Sequence, residues 1–191
     1  MRNENVKRLV RLGLLCALSV ILMYAIRFPI FPAAPYLEYD MADVPILIGA
    51  FLFGPWWGLL LTLAVSVLQG ITVSAASGVI GVAMHLVATG LFAGIAGLVY
   101  RKNRTLKGAI IGLLLGSLAM TLAMIPLNLT LTVYYNGVPY DVVAGMIVPI
   151  IIPFNLIKAG INSLATLLLY KSVASVLRLE RIKAGQKQPP Q

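Results

Sequence analysis

Apolar stretches with few or no charged residues alternate with short polar segments along the whole chain. Several of these stretches approach or exceed the roughly 20 residues that cross the hydrocarbon core of a bilayer. The pattern therefore predicts an all-α membrane protein with six transmembrane helices. The predicted helices cover residues 9–26, 44–53, 55–71, 79–100, 108–132 and 153–179.

Residues 28–42 separate the first two predicted helices. They contain three prolines together with Glu38 and Asp40, a composition too polar and too broken for a lipid-exposed helix. We expect a structured proline-rich loop here, which caps the bundle between helices 1 and 2. The helix that follows, residues 44–53, is only about 15 Å long at 1.5 Å per residue, which is short for a full crossing.

Glycines and prolines also mark the later breaks. Gly54 and Pro55 form a turn signal before the third helix. Residues 133–141 are polar and predict a second loop. Residues 142–152 are apolar but contain Pro149, so a partly extended or re-entrant segment is expected there.

Basic residues cluster at three places that apolar stretches separate. The positive-inside rule keeps such clusters in the cytoplasm, and six crossings place both termini there. We predict one membrane domain, residues 1–182, in the cell membrane, followed by a disordered cytoplasmic tail, residues 183–191. The clusters contain Arg2, Lys7, Arg8 and Arg11, then Arg101, Lys102, Arg104 and Lys107, then Lys171, Arg178, Arg181, Lys183 and Lys187.

The composition excludes a soluble globular domain and argues against nucleic-acid binding. Apolar residues make up 60% of the chain and charged residues 11%, whereas soluble proteins have about 25% charged residues. The net charge of +9 is held in clusters at helix ends and lacks the interleaved aromatic residues of a nucleic-acid groove. Cys16 is the single cysteine, so the chain has no disulfide framework. No metal site is expected.

A stripe of polar side chains on the sixth helix is the most informative feature. Asn155, Lys158 and Asn162 are spaced i, i+3 and i+7, which places them on one helix face. An ionisable residue within a membrane helix indicates a functional site. Amide and ammonium groups suit the carbonyls and ring nitrogens of a planar heterocycle, and Asn128 supplies a further amide. The alternative is that Lys158 snorkels to the interface while the amides cross-link helices.

The other polar residues in the predicted helices are weaker indications of a functional site. His85 stands alone in its helix with no second histidine and no nearby carboxylate, which favours a structural role. Ser77 and His85 have neither a G-x-S-x-G context nor an orienting acid, which argues against a serine hydrolase. Gln69 is expected to face the interior or an interface.

Missing motifs indicate that the chain binds a ligand without energising its movement. There is no G-x-x-x-x-G-K-[ST] phosphate loop for ATP. The predicted helix interiors hold no acidic residue to carry protons or sodium. We therefore expect a partner that supplies energy.

Small residues recur at intervals of four on three helices, which lets helix backbones approach closely in lipid. On the fourth and fifth helices we expect these steps to serve internal packing. For the step of Gly13 and Ala17 on the first helix, internal packing and a partner surface remain open. The other steps are Gly90 and Gly94, and Gly108, Gly112 and Gly116.

Two stretches of the sequence resemble the substrate-binding subunits (S components) of energy-coupling factor transporters, and within them the riboflavin-specific RibU group. The first is PAAPYLEYD, residues 32–40, which continues to Asp43-Val44-Pro45. The second is PFNLIK, residues 153–158. The resemblance extends over nearly the whole chain, including the six spans and the basic ends.

The resemblance implies riboflavin as the transported ligand, with no resident cofactor. It also implies a complex with a membrane coupling protein and two ATPase subunits, to which Gly13 and Ala17 would present the first helix. The residues implied at the substrate site are Leu37, Tyr39, Asp40, Asn128, Asn155, Lys158 and Asn162. Alternatives are another vitamin such as thiamine, the phosphorylated flavin FMN, and a small intramembrane enzyme.

Overall fold

The structure, a computed structural model, describes the backbone of residues 2–185 and the side chains of residues 4–75, 77–135, 137–169 and 172. Within these residues the fold is helical apart from one short hairpin of two strands. The elements are α1 (Arg2–Ala25), β1 (Arg27–Pro29), β2 (Glu38–Asp40), α2 (Asp43–Phe53), α3 (Pro55–Ile71), α4 (Gly78–Lys102), α5 (Leu106–Leu127), α6 (Val133–Asn136), α7 (Tyr140–Met146) and α8 (Ile152–Gly185).

Four helical segments in the described part of the chain are long and apolar enough to cross a membrane. They are Glu4–Ala25, Gly78–Lys102, Leu106–Tyr135 and Tyr140–Leu169. Two shorter apolar helices, α2 and α3, lie between the first and second of these segments. Large apolar side chains such as Leu14, Ile21 and Leu114 are exposed on the outside of the bundle. An apolar exterior of this kind is stable in the hydrocarbon core of a bilayer, so the fold is that of a multi-spanning membrane protein.

The shorter helix α2 is the centre of the bundle. All its residues from Asp43 to Phe51 are buried, and α1, α3, α4 and α8 pack around it. A helix surrounded by protein need not match the thickness of the lipid, which explains its length of 11 residues. Gly54 then turns the chain into α3 with φ 101° and ψ 170°, a conformation that is essentially restricted to glycine.

The loop between α1 and α2 is an ordered hairpin. β1 and β2 pair antiparallel, with Phe28 opposite Tyr39 and Arg27 opposite Asp40. Two turns within the connection are closed by backbone hydrogen bonds from Ala34 to Phe31 and from Leu37 to Ala34. The pairing fixes the direction of β2, whose buried residues Tyr39 and Asp40 face the helices.

The segment that follows α5 differs from the sequence-based expectation. The predicted loop at 133–141 contains the helix α6, and the segment at 142–152, for which a partly extended or re-entrant structure was expected, is helical throughout and not extended. Wide π-helical turns at Asn128–Thr132 and Ile147–Ile151 connect these pieces to their neighbours. Pro149 lies within the second wide turn, where the looser spacing avoids the clash that proline causes in a regular helix.

The last helix, α8, extends into the segment that was predicted as a C-terminal tail. The helix runs to Gly185 and so includes residues 183–185 of that segment. The remainder of that predicted tail, residues 186–191, lies outside the described residues.

Glycines hold α5 against α4, as the sequence predicts. A Cβ atom on Gly112 would lie 2.8 Å from the carbonyl oxygen of Ala96, and one on Gly116 would lie 2.6 Å from that of Phe92. These contacts are with backbone atoms that cannot move aside, so the two helices touch at a distance that only glycine allows.

We expect Gly116→Ala to destabilise the protein by about 1–3 kcal/mol, because the new methyl group would overlap the carbonyl of Phe92. Gly13→Ala is the matched control, since nothing lies within 4 Å of its Cβ position. Thermal unfolding in detergent should show a lower midpoint for the first variant only. Equal midpoints would contradict the packing described for α4 and α5.

Candidate ligand-binding site

A cavity of about 390 Å³ lies between the hairpin and the ends of four helices. The C-terminal half of α3, the N-terminal half of α4, the end of α5 and the start of α8 form its walls, and Leu37 borders it from the hairpin side. Its volume falls within the range of about 300–1,000 Å³ that is usual for small-molecule pockets. Apolar side chains, among them Met84, Met120, Met124 and Phe154, alternate with polar ones along the walls.

Lys158 and Asp40 form a buried ion pair at this cavity. Nζ of Lys158 donates to Oδ2 of Asp40 at 2.8 Å, and the two residues are 7% and 3% exposed. Both line the cavity. The ammonium group of Lys158 therefore points into the protein and not to the membrane interface, and a buried carboxylate balances its charge.

Asp43 and His85 extend this polar network beneath the cavity. Oδ1 of Asp43 accepts from Thr89 at 2.8 Å and lies 3.4 Å from Nε2 of His85. Oδ2 of Asp43 accepts from Asn162 at 3.1 Å. The expectation that His85 has no nearby carboxylate is therefore wrong. Asp43 precedes the predicted second helix, and nothing local in the sequence shows that it turns inward.

Two asparagines face the cavity from α8 and from the wide turn after α5. Asn128 and Asn155 are each 1% exposed, and both line the cavity. Each donates one N–H to the carbonyl four residues earlier, Met124 and Ile151 respectively, at 2.8 Å. The described residues make no other hydrogen bond with the Asn155 side chain, whose Oδ1 is not among the fully enclosed polar atoms. The amide thus keeps one N–H and one oxygen for a ligand.

Tyr39 and Asn162 hold residues of the site in position through hydrogen bonds, and neither of them lines the cavity. The hydroxyl of Tyr39 donates to Oδ1 of Asn162 at 2.9 Å, and the Asn162 amide donates to Asp43 and to the carbonyl of Asp40. Burial, helped by the charge of Asp40, raises the pKa of Tyr39 to about 12. Tyr39 therefore stays a neutral donor at physiological pH and holds Asn162 in place.

Arg27 ties three segments together at the rim of the cavity. It forms an ion pair with Glu38, and its guanidinium also donates to the carbonyl of Val73 at 2.5 Å and to Oγ of Ser74 at 3.3 Å. These contacts join the strand β1, the strand β2 and the connection between α3 and α4. Sequence reasoning missed it, because its partners lie 11, 46 and 47 positions away.

Arg27→Ala should loosen the hairpin without unfolding the bundle. The ion pair with Glu38 is partly exposed, so most of the expected effect comes from the lost bond to the Val73 carbonyl. Amide hydrogen exchange across residues 28–41 should accelerate about 10-fold. Exchange in α4 serves as the internal reference. Unchanged exchange in the hairpin would show that Arg27 does not hold it.

The polar cluster also bears on metal binding and on catalysis. Ligand atoms of Asp40, Asp43 and His85 lie within 4.8 Å of one another. The ammonium group of Lys158 already neutralises the charge of Asp40, so the positive charge that the cluster needs comes from the protein itself.

Ser66 and His85 are close enough to resemble a catalytic pair, because Ser66 Oγ lies 2.7 Å from Nδ1 of His85. That hydroxyl is fully buried and bonds to the carbonyl of Thr62, so the geometry does not present a nucleophile.

A second cavity of about 330 Å³ lies at the other end of α3 and α4. Trp56, Trp57, Arg101 and Arg104 line it, and no amide or carboxylate side chain of the described residues does. It therefore lacks the matched donors and acceptors of the first cavity.

Fold and cavity together define a multi-spanning membrane protein with a polar, small-molecule-sized hollow among its helices. A family model described as "ECF transporter, substrate-specific component" matches residues 7–170. The chain belongs to this family. Its members are components of transporters and not enzymes, so the intramembrane enzyme considered from the sequence is excluded.

Curated relatives and a solved structure agree with this assignment. The chain is 31% identical over 181 residues to the riboflavin transporter RibU of Streptococcus thermophilus, covering 91% of this chain and 85% of that protein. It is 34% identical over 168 residues to the riboflavin transporter FmnP of Bacillus subtilis, covering 81% and 85%. A structure titled "Structure and mechanism of the S component of a bacterial ECF transporter" superposes with a TM-score of 0.78 at 32% identity, covering 91% of this chain and 98% of that one.

Proposed function

We propose that this chain is the riboflavin-binding subunit of an ECF-type vitamin uptake transporter. The observation that carries the proposal is the convergence of Asn128, Asn155 and Lys158 on one cavity. The similarity to riboflavin transporters over 81–91% of the chain supports the same ligand. In the proposed site Leu37 and Asp40 also border the vitamin, while Tyr39 and Asn162 position the residues that do.

The chemistry of the cavity suits an isoalloxazine ring. The pyrimidine edge of that ring presents carbonyl acceptors on either side of a single N–H donor. An asparagine amide with one free N–H and one free oxygen matches such an edge, and the Lys158 ammonium supplies a further donor. Met120, Met124 and Phe154 offer apolar surface to the faces of the ring.

The charges at the site favour a neutral vitamin over the alternatives. A cationic ligand such as thiamine would need a carboxylate, and both candidates already have partners. Asp40 pairs with Lys158, and Asp43 accepts hydrogen bonds from Thr89 and Asn162. A phosphorylated flavin would need a cation at the rim, where Arg27 is paired with Glu38. Because the charged side chains at the site already have partners within the protein, the site supports riboflavin over thiamine and over FMN.

The flavin spectrum of the purified protein tests this proposal. Protein from cells grown with riboflavin should carry a visible flavin absorption band after purification in detergent. Stripped protein should quench the fluorescence of added riboflavin with a stoichiometry of one, and thiamine should not compete. Colourless protein that leaves riboflavin fluorescence unchanged would refute the assigned ligand.

The membrane arrangement belongs to the same proposal. We propose six crossings, including the short helices α2 and α3, with both termini and the basic 101–107 segment in the cytoplasm of the cell. The cavity and the hairpin then face the outside, where the vitamin arrives and the hairpin caps it. The basic clusters at the chain ends and at 101–107 support this orientation.

Transport would require the coupling protein and two ATPase subunits, because the chain has no phosphate loop of its own. We propose that α1 docks on the coupling protein through Gly13 and Ala17. Both residues are exposed, and the Cβ position of Gly13 has nothing within 4 Å. The bundle thus leaves this small-residue step unused for its own packing.

Gly13→Trp should block assembly with the coupling protein and the ATPases while leaving riboflavin affinity within about twofold of the wild type. The bulky side chain fills the face on which a partner helix would approach closely. Co-purification of the complex and riboflavin titration of the isolated subunit check the two parts. Gly145→Trp provides the control, because nothing lies near that Cβ position either. Normal assembly of the Gly13 variant would rule out this docking face.

A further inference from the structure

Gln69 is a partly buried polar residue whose side-chain oxygen is enclosed within the protein. Its Oε1 is the one buried side-chain oxygen or nitrogen, among the residues that the structure describes, without a hydrogen-bond partner. An orphaned buried acceptor is costly, and native proteins seldom keep one without a reason. Gln69 also lines the large cavity. A ligand in that cavity is therefore the available partner for the amide.

Two polar side chains that line the cavity with Gln69, those of Arg27 and Ser66, already have hydrogen-bond partners within the protein. Arg27 is held by Glu38 and by the carbonyl of Val73, and it also donates to Ser74. The hydroxyl of Ser66 bonds to His85 and to the carbonyl of Thr62. The Oε1 atom of Gln69 is thus an enclosed acceptor on this wall whose hydrogen-bonding capacity is not used by the described residues.

Gln69 reaches the cavity from a different wall than the asparagines and the lysine do. It lies in the last turns of α3, which packs on α4, whereas Asn155 and Lys158 lie on α8, which packs on α5. A ligand that contacts both walls needs hydrogen-bonding groups at two separate places.

We propose that Gln69 binds the ribityl chain of the flavin and makes the site selective for flavins that carry a polyol. This inference rests on the proposed riboflavin function. The ring has its polar groups along the pyrimidine edge, which Asn128, Asn155 and Lys158 match. Most of the remaining hydrogen-bonding capacity of riboflavin lies in the four hydroxyls of the ribityl chain, which is attached to the central ring.

A polyol suits this amide for a further chemical reason. Each hydroxyl group both donates and accepts, so it satisfies the amide whether the oxygen or the NH₂ group of Gln69 faces the cavity. A ring carbonyl satisfies only the NH₂ group. Ser74 and Ser77 also line the cavity and add polar surface along which a flexible chain can lie.

Gln69→Met tests the inference, because methionine keeps the length of the side chain and removes the amide. Dissociation constants are measured by fluorescence quenching for riboflavin and for lumiflavin, which carries a methyl group in place of the ribityl chain. We expect the variant to bind riboflavin about 10–100-fold more weakly and lumiflavin within about twofold of the wild type. Asn155→Ala is the control and should weaken both ligands alike.

The stability of the ligand-free variant gives a second readout. Removing an amide whose enclosed oxygen lacks a partner should leave the unfolding midpoint unchanged or raise it, whereas loss of a structural contact would lower it. Unchanged riboflavin affinity, or equal weakening of both flavins, would overturn the role of Gln69 alone. Failure of the wild-type protein to bind either flavin would overturn the proposed function, and this inference with it.

Discussion

Replacing Lys158 by methionine is expected to destabilise the protein and to abolish tight riboflavin binding. The change leaves the carboxylate of Asp40 buried without the ammonium group that lies 2.8 Å away. Breaking a buried ion pair from one side costs on the order of 3–5 kcal/mol, because the remaining charge is uncompensated. The lost ammonium also removes a charged donor to the flavin, worth about 1.5–3 kcal/mol, or roughly 10–150-fold in affinity.

A double variant separates the two effects. Asp40→Asn combined with Lys158→Met removes both charges, and the new amide oxygen can still accept from the backbone N–H of Ala42, as Oδ1 of Asp40 does. Thermal unfolding in detergent should show that the double variant recovers most of the stability that the single variant loses. Riboflavin titration should show that its affinity stays low. A double variant that binds riboflavin like the wild type would remove Lys158 from the site.

Asn155→Ala is expected to weaken riboflavin binding by about 10–100-fold with little change in stability. Within the protein the side chain makes one hydrogen bond, to the carbonyl of Ile151 in the preceding turn. The loss therefore falls mainly on the ligand, whose ring edge would be buried with an unmatched polar group. Fluorescence titration measures the dissociation constant, and thermal unfolding checks the fold.

A matched asparagine provides the control for that prediction. Asn103 lies in the exposed connection after α4 and does not line the cavity, and its Oδ1 accepts from Thr105. Asn103→Ala should bind riboflavin like the wild type. Equal affinities for all three proteins would mean that the amide of Asn155 does not touch the vitamin.

The sequence predicted those parts of the fold that depend on local chemistry. The third helix begins at Pro55 and ends at Ile71, as predicted, because Gly54 and Pro55 together specify the turn and the first helical position. The small-residue steps on the fourth and fifth helices also serve internal packing as expected. Hydrophobic length and turn residues act over a few positions, so they can be recognised without the fold.

The sequence was less informative where distant segments meet. Asp40 lies in the polar loop and Asp43 just after it, yet both are buried beside Lys158 and Asn162, 118 and 119 positions away. The carboxylates are buried because the hairpin folds inward and the helix α8 supplies their partners. The spacing of Asn155 and Lys158 did predict a shared face, whereas the supporting position of Asn162 depends on Tyr39, which spacing cannot reveal.

The experimental structure of the riboflavin complex tests the central claim most directly. The isolated subunit, purified in detergent and saturated with riboflavin, is the sample. We predict that the pyrimidine edge of the ring lies within about 2.7–3.2 Å of the Asn155 amide or the Lys158 ammonium, in the cavity beneath the hairpin. Riboflavin found in the second cavity beside Trp57 and Arg101, or outside the bundle altogether, would contradict the account.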